Sequence, residues 1–311
     1  MSAARGARRV APAKINLRLA VTGRRADGYH LVDTWLAPLL DLADVVELEP
    51  DDQAGGGGGT GAVSTAGAVQ VRCPEVPALE GPDNLVARAA LAYAAAAGMD
   101  VGAPRVALVL RKRIPAAAGL GGGSSDAAAA LRLLEDAHGA LGAARLAVVA
   151  AALGADVPFF LLDGAAEATG IGEQLRAAPG PPRGLRWAAL AKPAAGLRTA
   201  DVYRCYDERV AARGRSAGER GGARMGAFFN DLEPAALALC AAVAPLLEAL
   251  RAGGAAVAQV SGSGSACFGL FADEAAARAA AAAVAASGAP GTWTFVSRVG
   301  GVPPAGEDGP R

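Results

Sequence analysis

A run of glycines followed by two serines is the part of this sequence best suited to chemistry. Between Ile114 and Asp126 the chain reads I-P-A-A-A-G-L-G-G-G-S-S-D. The apolar, β-branched segment Arg105–Arg111 before it predicts a strand, and the alanine-rich run Ser124–Ala137 after it predicts a helix. A glycine loop between a strand and a helix can surround a phosphate with backbone N–H groups, and the helix N-terminus adds about half a positive charge. We therefore predict a phosphate-binding loop.

A flexible connector between a strand and a helix is the alternative explanation of these glycines. Plain connectors rarely need so many glycines followed by paired serines. Glycine allows φ > 0 and leaves no Cβ in the way of a phosphate, and the two serines stand where a helix N-cap is expected. The loop is not a Walker loop, which requires Gly-Lys-Ser/Thr, and the dinucleotide fingerprint requires glycine where Ser124 stands.

Lys14 and Asn16 are candidates for contact with a reacting group. In the strand predicted over Arg9–Val21 they alternate with Ile15 and Leu17, so the polar pair shares one face and the apolar pair the other. Two polar side chains on one face of an apolar strand indicate a wet cleft. The alternative is an exposed strand face with an ordinary lysine.

Asp156 is the candidate general base. It lies in G-A-D-V-P-F-F just before Pro158, where an aspartate can also cap a helix that has proline in its first turn. A carboxylate beside a lysine can accept an alcohol proton while the ammonium stabilises developing negative charge. Lys14 and Asp156 together would suit an enzyme that phosphorylates an alcohol.

Composition excludes several classes of function. The 311 residues carry a formal net charge of zero, which argues against a nucleic-acid backbone or an anionic membrane surface as a partner. Four scattered cysteines fit a reducing cytoplasm, and two histidines make a zinc site unexpected. We find no signal peptide and no apolar run of about 20 residues, so we expect a soluble cytoplasmic protein. Lysine is rare, and each one is a candidate for a specific role: Lys14, Lys112 and Lys192.

Strands alternating with helices predict an α+β fold. The predicted strands are Arg9–Val21, Leu31–Leu40, Asp44–Leu48, Arg186–Ala191 and Thr292–Val299, with a hairpin over 255–271. The predicted helices are 82–97, Ser124–Ala137, Arg145–Leu153, Thr199–Ala212, Asn230–Cys240, Ala244–Ala252 and Asp273–Ser287. Loops are expected over 163–182, near the domain boundary. Three further segments are interpreted as a mobile insertion, a flexible basic loop and a frayed tail: Asp51–Gly67, Arg213–Arg224 and the residues from Gly300.

The pattern Pro115-x-x-x-Gly119-Leu120-Gly121-x-x-Ser124-Ser125-x-Ala127 resembles the phosphate motif of the GHMP kinases, which phosphorylate small-molecule alcohols and acids. Six more segments follow the order seen in the member that phosphorylates a cytidylyl methylerythritol in the non-mevalonate isoprenoid pathway: P-A-K-I-N-L, R-A-D-G-Y-H, P-D-N-L-V, L-G-A-D-V-P-F-F, F-F-N-D-L-E and S-G-S-G-S-A-C-F. The resemblance covers about 11–299. It implies a two-domain GHMP kinase fold, with an N-terminal ATP-binding α/β domain over 1–165 and a C-terminal ferredoxin-like α+β domain over 166–311.

The resemblance implies roles for single residues. Lys14 and Asp156 match the catalytic lysine and the base that takes the proton of the substrate's 2-hydroxyl. Tyr29 and His30 match a cytidine-binding pair, in which one ring stacks on cytosine and the other hydrogen-bonds its edge. Tyr203 matches an aromatic on the opposite face of the base, although a helix aromatic is usually a core residue.

The resemblance also implies ATP and Mg²⁺ as cofactors. Asn16 is assigned to the substrate, and Asn84 to the adenine pocket unless it is only a helix cap. The turn Ser261–Ser265 matches a third motif beside the active site and is also a tight hairpin. No metal ligand is assigned, and we expect a monomer or a weak homodimer. The remaining residues assigned to ATP are Pro115, Gly119, Leu120, Gly121, Gly122, Gly123, Ser124 and Ser125.

Two other functions remain open. One is another GHMP kinase, of the homoserine or mevalonate type, which would have no use for the cytidine-stacking aromatic in A-D-G-Y-H. The other is a nucleotide-binding regulatory module that has lost catalysis. The presence of both Lys14 and Asp156 argues against the second, because a degraded site need not retain either.

Overall fold

A computed structural model describes residues 7–49, 69–99, 106–212 and 228–301. The predicted insertion Asp51–Gly67, the basic loop Arg213–Arg224 and the tail beyond Gly301 lie outside the described residues. The chain divides into two compact units that interleave along the sequence. Unit 1 comprises Met1–Pro12, Ala43–Ile114 and Gly122–Leu161, and unit 2 comprises Ala13–Leu42, Pro115–Gly121 and Leu162–Arg311. The predicted boundary at 165/166 stays a prediction.

Two long strands contribute residues to both units. They are β1 (Arg8–Arg24) and β2 (His30–Leu48). The sequence predicted two strands where β2 runs without a break, and this expectation was wrong. Asp41 lies in the predicted gap and accepts the Arg298 backbone N–H at 2.8 Å, so a polar residue there is satisfied without ending the strand.

Unit 1 is built from helices and a small sheet. Strand β3 (Val69–Arg72) pairs in parallel with β4 (Val106–Arg111), and β4 pairs antiparallel with the end of β2. The helices are α1 (Leu85–Ala97), α2 (Gly122–His138) and α3 (Gly142–Leu153), which pack on one another. Their alanine-rich faces allow the close approach that the composition predicts, since small side chains fill the contacts.

Unit 2 contains a four-stranded antiparallel sheet in the order β11-β7-β10-β9. Its strands are β7 (Trp187–Lys192), β9 (Val257–Val260), β10 (Cys267–Phe271) and β11 (Trp293–Arg298). Helices α6 (Val243–Ala252) and α7 (Glu274–Ser287) bury their apolar stripes in the core of this sheet. The β-branched and aromatic content of the strands and the helical spacing of Leu246, Leu247 and Leu250 explain this arrangement.

A second part of unit 2 surrounds β1. The two-residue strand β8 (Phe229–Asn230) pairs in parallel with β1, and the start of β2 pairs with β5 (Ala166–Thr169). Strand β6 (Gln174–Ala177) completes a hairpin with β5. Helices α4 (Thr199–Ala211) and α5 (Glu233–Leu239) pack against Leu19 and Val21 of β1.

Two more local expectations were wrong. The segment 163–182, predicted as loops, forms the β5–β6 hairpin, because four-residue strands are too short to show a period. The helix predicted from Asn230 begins only at Glu233, because Asn230 lies in β8 and its side chain accepts the Leu232 backbone N–H at 2.9 Å. Among the described residues, none of the helices combines the length and apolar character that crossing a membrane requires.

Candidate active site

Lys14 lies in the middle of β1 and is only 3% exposed. Its ammonium is 2.5 Å from Asn16 Oδ1 and donates to the Gly119 backbone carbonyl at 2.8 Å. Asn16 Nδ2 donates to Thr34 Oγ1 at 2.8 Å, so the Asn16 oxygen faces the lysine. The polar face predicted for β1 is therefore a buried, hydrogen-bonded cluster, and the alternative of an exposed strand face is wrong. We call Lys14, Asn16 and Gly119 the Lys14 cluster.

The first half of the glycine loop belongs to unit 2 and rests on β1. The Lys14 backbone N–H donates to the Leu120 carbonyl at 3.0 Å, and the Leu120 side chain is buried. Gly119 and Gly121 have φ of 73° and 72°, the left-handed conformation that the sequence predicted. A Cβ added to Gly119 would lie 2.1 Å from the Ser261 carbonyl oxygen. Gly119 is therefore needed both for its conformation and for a close backbone approach.

The second half of the loop belongs to unit 1 and is already helical. Helix α2 begins at Gly122, so Ser124 and Ser125 are its third and fourth residues. The expectation that they provide the N-cap was wrong, because the helix starts within the glycine run. Ser125 is 1% exposed, and its hydroxyl has no hydrogen-bond partner among the described residues. That open hydroxyl lies in the first turn of the helix whose backbone N–H groups suit a phosphate.

A buried charge cluster in unit 1 supports the same helix and was missed by sequence reasoning. Lys112 bridges the carboxylates of Asp44 and Asp126, the latter at 2.8 Å. Asp44 also accepts the backbone N–H groups of Arg113 and Ile114 at 2.5 and 2.8 Å. Lys112, Asp44 and Asp126, which we call the Lys112 cluster, thus join β2, the end of β4 and the first turns of α2. The scarcity of lysine in the sequence was the only signal.

The charges in this cluster shift each other's protonation. Burial would lower the pKa of Lys112, but the carboxylates of Asp126 and Asp44 outweigh it, so that pKa is raised. At Asp126, burial and the neighbouring Asp44 carboxylate both raise the pKa, whereas the Lys112 ammonium lowers it. The raising effects are larger, so the pKa of Asp126 is raised to about 7. One Asp126 oxygen is buried without a hydrogen-bond partner, which is consistent with a carboxyl that readily keeps a proton.

Asn84 and Asp156 both belong to unit 1. Asn84 is the N-cap of α1: its Oδ1 accepts the Val86 backbone N–H at 2.8 Å, and its Nδ2 donates to the Leu79 carbonyl at 2.8 Å. Asp156 is half-buried in the turn between α3 and a 3₁₀ helix at Pro158–Leu161. Val157, not Asp156, directly precedes that helix. The capping explanation is therefore correct for Asn84, and for Asp156 it stays open.

The residues assigned to cytidine lie in unit 2, where β2 begins. Tyr29 is 62% exposed on the turn before β2. The His30 ring stacks on Tyr203 of α4, with centroids 4.5 Å apart and planes at 23°. His30 Nε2 also lies 2.7 Å from Asp207 Oδ1, one helical turn beyond Tyr203. Sequence reasoning missed Asp207, although the i, i+4 spacing from Tyr203 places the two on one helix face.

This ring arrangement limits how a base could bind. Rings at 4.5 Å are in direct contact, so a cytosine does not fit between His30 and Tyr203 as they stand. Tyr29 is the most exposed ring of the group, which suits it to stacking on a base. His30, fixed by Tyr203 and Asp207, is suited to hydrogen bonding at a base edge.

Family models match both halves of the chain. The GHMP kinases N terminal domain matches residues 84–164, and the GHMP kinases C terminal domain matches residues 213–290. Together with the ferredoxin-like sheet of unit 2 and the glycine loop ahead of α2, these matches define the class: the chain is a GHMP kinase, a small-molecule kinase.

Comparison with individual proteins shows which family of GHMP kinases the chain belongs to. The 4-diphosphocytidyl-2-C-methyl-D-erythritol kinase of Granulibacter bethesdensis is 43% identical over 296 residues, which are 92% of each chain. The enzyme of that name from Deinococcus radiodurans is 41% identical over 93% of this chain and 92% of its own. A crystal structure of 4-(cytidine 5'-diphospho)-2C-methyl-D-erythritol kinase matches 95% of this chain and 100% of its own, with 36% identity and a TM-score of 0.69. The chain belongs to the 4-diphosphocytidyl-2-C-methyl-D-erythritol kinase family.

A more distant structural neighbour shares the fold only. Homoserine kinase from Cytophaga hutchinsonii has a TM-score of 0.66 over 96% of both chains but is 18% identical. This likeness confirms the two-domain GHMP kinase fold that the sequence predicted.

Proposed function

We propose that this protein transfers the γ-phosphoryl group of ATP to the 2-hydroxyl of 4-diphosphocytidyl-2-C-methyl-D-erythritol, in the non-mevalonate route to isoprenoid precursors. The observation that carries the proposal is the contact between the Lys14 ammonium and the Gly119 carbonyl, 2.8 Å long. It holds a buried cation against the loop that would bind the ATP phosphates. Phosphoryl transfer depends mainly on positioning and on cations near the transferred group.

In this proposal Asp156 is the general base and Lys14 the electrophilic residue. The Asp156 carboxylate takes the hydroxyl proton as the alcohol oxygen bonds to the γ-phosphorus and the bond from that phosphorus to the β–γ bridging oxygen breaks, which leaves ADP. Lys14 stabilises the negative charge on the oxygens in transfer. A positioned base of this kind contributes about 10²–10⁴-fold in rate.

The glycine loop and the start of α2 are the proposed ATP phosphate site. Gly119 and Gly121 provide backbone without Cβ atoms, and the Ser125 hydroxyl is a buried group with an unused hydrogen-bonding capacity. Such a hydroxyl fits a phosphate oxygen. Asn84 caps α1 and is proposed to border the adenine.

Mg²⁺ would enter with ATP and neutralise charge on its phosphates. The described residues contain no group of three or more His, Cys, Asp or Glu able to hold a metal ion. Mg²⁺ commonly keeps phosphate oxygens and water as most of its ligands. The protein therefore need not provide a separate cage of carboxylates.

Cytosine would stack on Tyr29 and hydrogen-bond to His30. The stack of His30 on Tyr203 and its contact with Asp207 hold the imidazole in place, and Asn16 in the Lys14 cluster would border the alcohol end of the substrate. A cytoplasmic location and a monomer or weak homodimer stay predictions.

A substrate panel tests the function. ADP release is followed with cytidylyl methylerythritol, mevalonate and homoserine as acceptors, with ATP and Mg²⁺ in each. We expect turnover only with the cytidylyl alcohol, and ³¹P NMR of the product should show a new phosphomonoester. Turnover of mevalonate or homoserine alone would favour the rival GHMP kinases, and ATP binding without any turnover would favour the regulatory module.

A further inference from the structure

Asn230 fixes a turn that contacts the Lys14 cluster. It is buried at the end of β8 in unit 2. Its Nδ2 donates to the carbonyls of Val260 and Gly262, both at 2.8 Å. Its Oδ1 accepts the Leu232 N–H at 2.9 Å. Both donor hydrogens are therefore used, and the orientation of the amide is fixed by its partners.

The turn that Asn230 holds is Ser261–Ser265. It is closed by the Gly264 backbone N–H, which donates to the Ser261 carbonyl at 2.9 Å. Gly262 and Gly264 have φ of 55° and 82°, which other residues rarely adopt. Asn230 binds the carbonyls of Val260 and Gly262, which flank Ser261 in the chain. The orientation of the Ser261 side chain therefore depends on Asn230.

This turn meets the Lys14 cluster directly. The Ser261 hydroxyl donates to the Gly119 carbonyl at 3.0 Å, the same oxygen that accepts from the Lys14 ammonium. A Cβ added to Gly262 would lie 3.0 Å from Asn16 Oδ1 and 3.3 Å from Lys14 Nζ. The turn thus forms one wall of the cluster, at a spacing where a methyl group on Gly262 would crowd Asn16 and Lys14.

The neighbours of Asn230 in F-F-N-D-L-E attach the same segment to two strands. Asp231 Oδ2 accepts the Val21 backbone N–H of β1 at 3.0 Å. Glu233 Oε2 accepts the Val260 backbone N–H of β9 at 2.9 Å. β1 carries Lys14, and β9 leads into the turn. The segment therefore sets the position of the turn relative to the lysine.

We propose that Asn230 is a positioning residue for phosphoryl transfer, which holds the Ser261–Ser265 turn against the Gly119 carbonyl and thereby orients the Lys14 ammonium. This proposal rests on the function proposed above. An amide is required because each of two carbonyls needs an N–H donor. A carboxylate has the same shape but only accepts hydrogen bonds.

The test compares wild type with Asn230→Asp in the full chain, by kcat, KM for both substrates and calorimetric Kd for ATP and for CMP. Displacing a reacting group by about 1 Å can cost about 100-fold in rate, so we expect kcat to fall about 100-fold and ATP binding to weaken. CMP should bind as to wild type, because the Tyr29–His30 group does not use this turn.

Two further variants separate positioning from stability. Asp273→Ala removes the N-cap of α7, the Asp273 Oδ1 that accepts the Ala276 N–H at 2.8 Å, and Asp273 lies just after the end of β10 opposite the turn. It should lower Tm without changing kcat. If Asn230→Asp does not fold, Ser261→Ala removes the hydroxyl that donates to the Gly119 carbonyl and accepts the Asn16 backbone N–H at 3.4 Å, and we expect kcat to fall about 10-fold.

Near-wild-type kcat in a folded Asn230→Asp or Ser261→Ala would overturn the proposal. So would an equal loss of kcat in Asp273→Ala at a matched loss of Tm. If wild type phosphorylates none of the three alcohols, the proposed function fails on its own. The Kd for ATP then decides the role of Asn230, and equal affinities in wild type and Asn230→Asp would contradict it.

Discussion

Lys14 and Lys112 both have largely buried side chains, and they contact different parts of the chain. Lys14 donates to the Asn16 side-chain oxygen and to the Gly119 carbonyl, which are acceptors on β1 and on the glycine loop. Lys112 contacts two carboxylates, one of which also binds two backbone N–H groups. A lysine held between two carboxylates supports the backbone around it, whereas Lys14 lies against the loop that we propose binds phosphate. Burial alone therefore does not distinguish a catalytic lysine from a structural one.

The largest expected effect concerns the proposed base that acts with Lys14. Asp156→Asn keeps the shape of the side chain but removes its ability to take a proton, so kcat should fall by about 10²–10⁴-fold. ATP should still bind with wild-type affinity. Steady-state ADP release and calorimetry with ATP check this, and near-normal turnover would remove Asp156 from the role of base.

Lys112→Met should reduce stability rather than chemistry. It leaves Asp44 and Asp126 buried without their cation, and breaking a buried ion pair in this way costs about 3–5 kcal/mol. Urea unfolding gives the free energy. The control is Arg278→Met, which breaks an exposed pair with Glu274 and should cost less than about 1 kcal/mol. If Lys112→Met were as stable as wild type, the claim that Lys112 stabilises the fold would be contradicted.

Tyr29→Ala tests whether the exposed ring binds the base. Stacking on a base is worth about 1–3 kcal/mol, so KM for the cytidylyl alcohol should rise by about 5–150-fold while KM for ATP stays within about 2-fold. Tyr29→Phe keeps the stacking face and should behave like wild type. Equal changes in both KM values would contradict stacking on cytosine.

Asp126→Asn should change how stability depends on pH. The pKa of Asp126 is raised above its usual value by burial and by Asp44, to about 7, so between about pH 4 and 7 the folded state holds a proton that the unfolded state has lost. Wild-type stability should therefore fall as pH rises through that window. Asparagine does not titrate, so the stability of the variant relative to wild type should increase by about 2–3 kcal/mol from pH 5 to pH 8. Urea unfolding at both pH values measures it, and parallel curves for the two proteins would refute the raised pKa.

Much of the fold follows from local signals. The glycine loop, the helices Leu85–Ala97 and Glu274–Ser287 and the strands of the four-stranded sheet each have a period or a terminal residue that can be seen in a short window. The start of α2 was placed two residues late because glycine is a poor helix former, and the capping signal of Ser124 pointed further along the chain.

The clusters could be predicted only in part. Lys14 and Asn16 are two residues apart, so their shared face is visible in the sequence. Asp44 and Lys112 are 68 residues apart, and an ion pair at that separation leaves no local pattern. The stack of His30 on Tyr203 also depends on how α4 packs against β1, which residue types alone do not determine.

The measurement that tests the central claim most directly is the rate of phosphoryl transfer by Lys14→Met under single-turnover conditions, with saturating ATP and cytidylyl methylerythritol. Removing one charge that stabilises the transition state costs about 10²–10³-fold, and we predict a loss of that size with CMP affinity unchanged. A Lys14→Met enzyme that transfers the phosphoryl group at the wild-type rate would contradict the account.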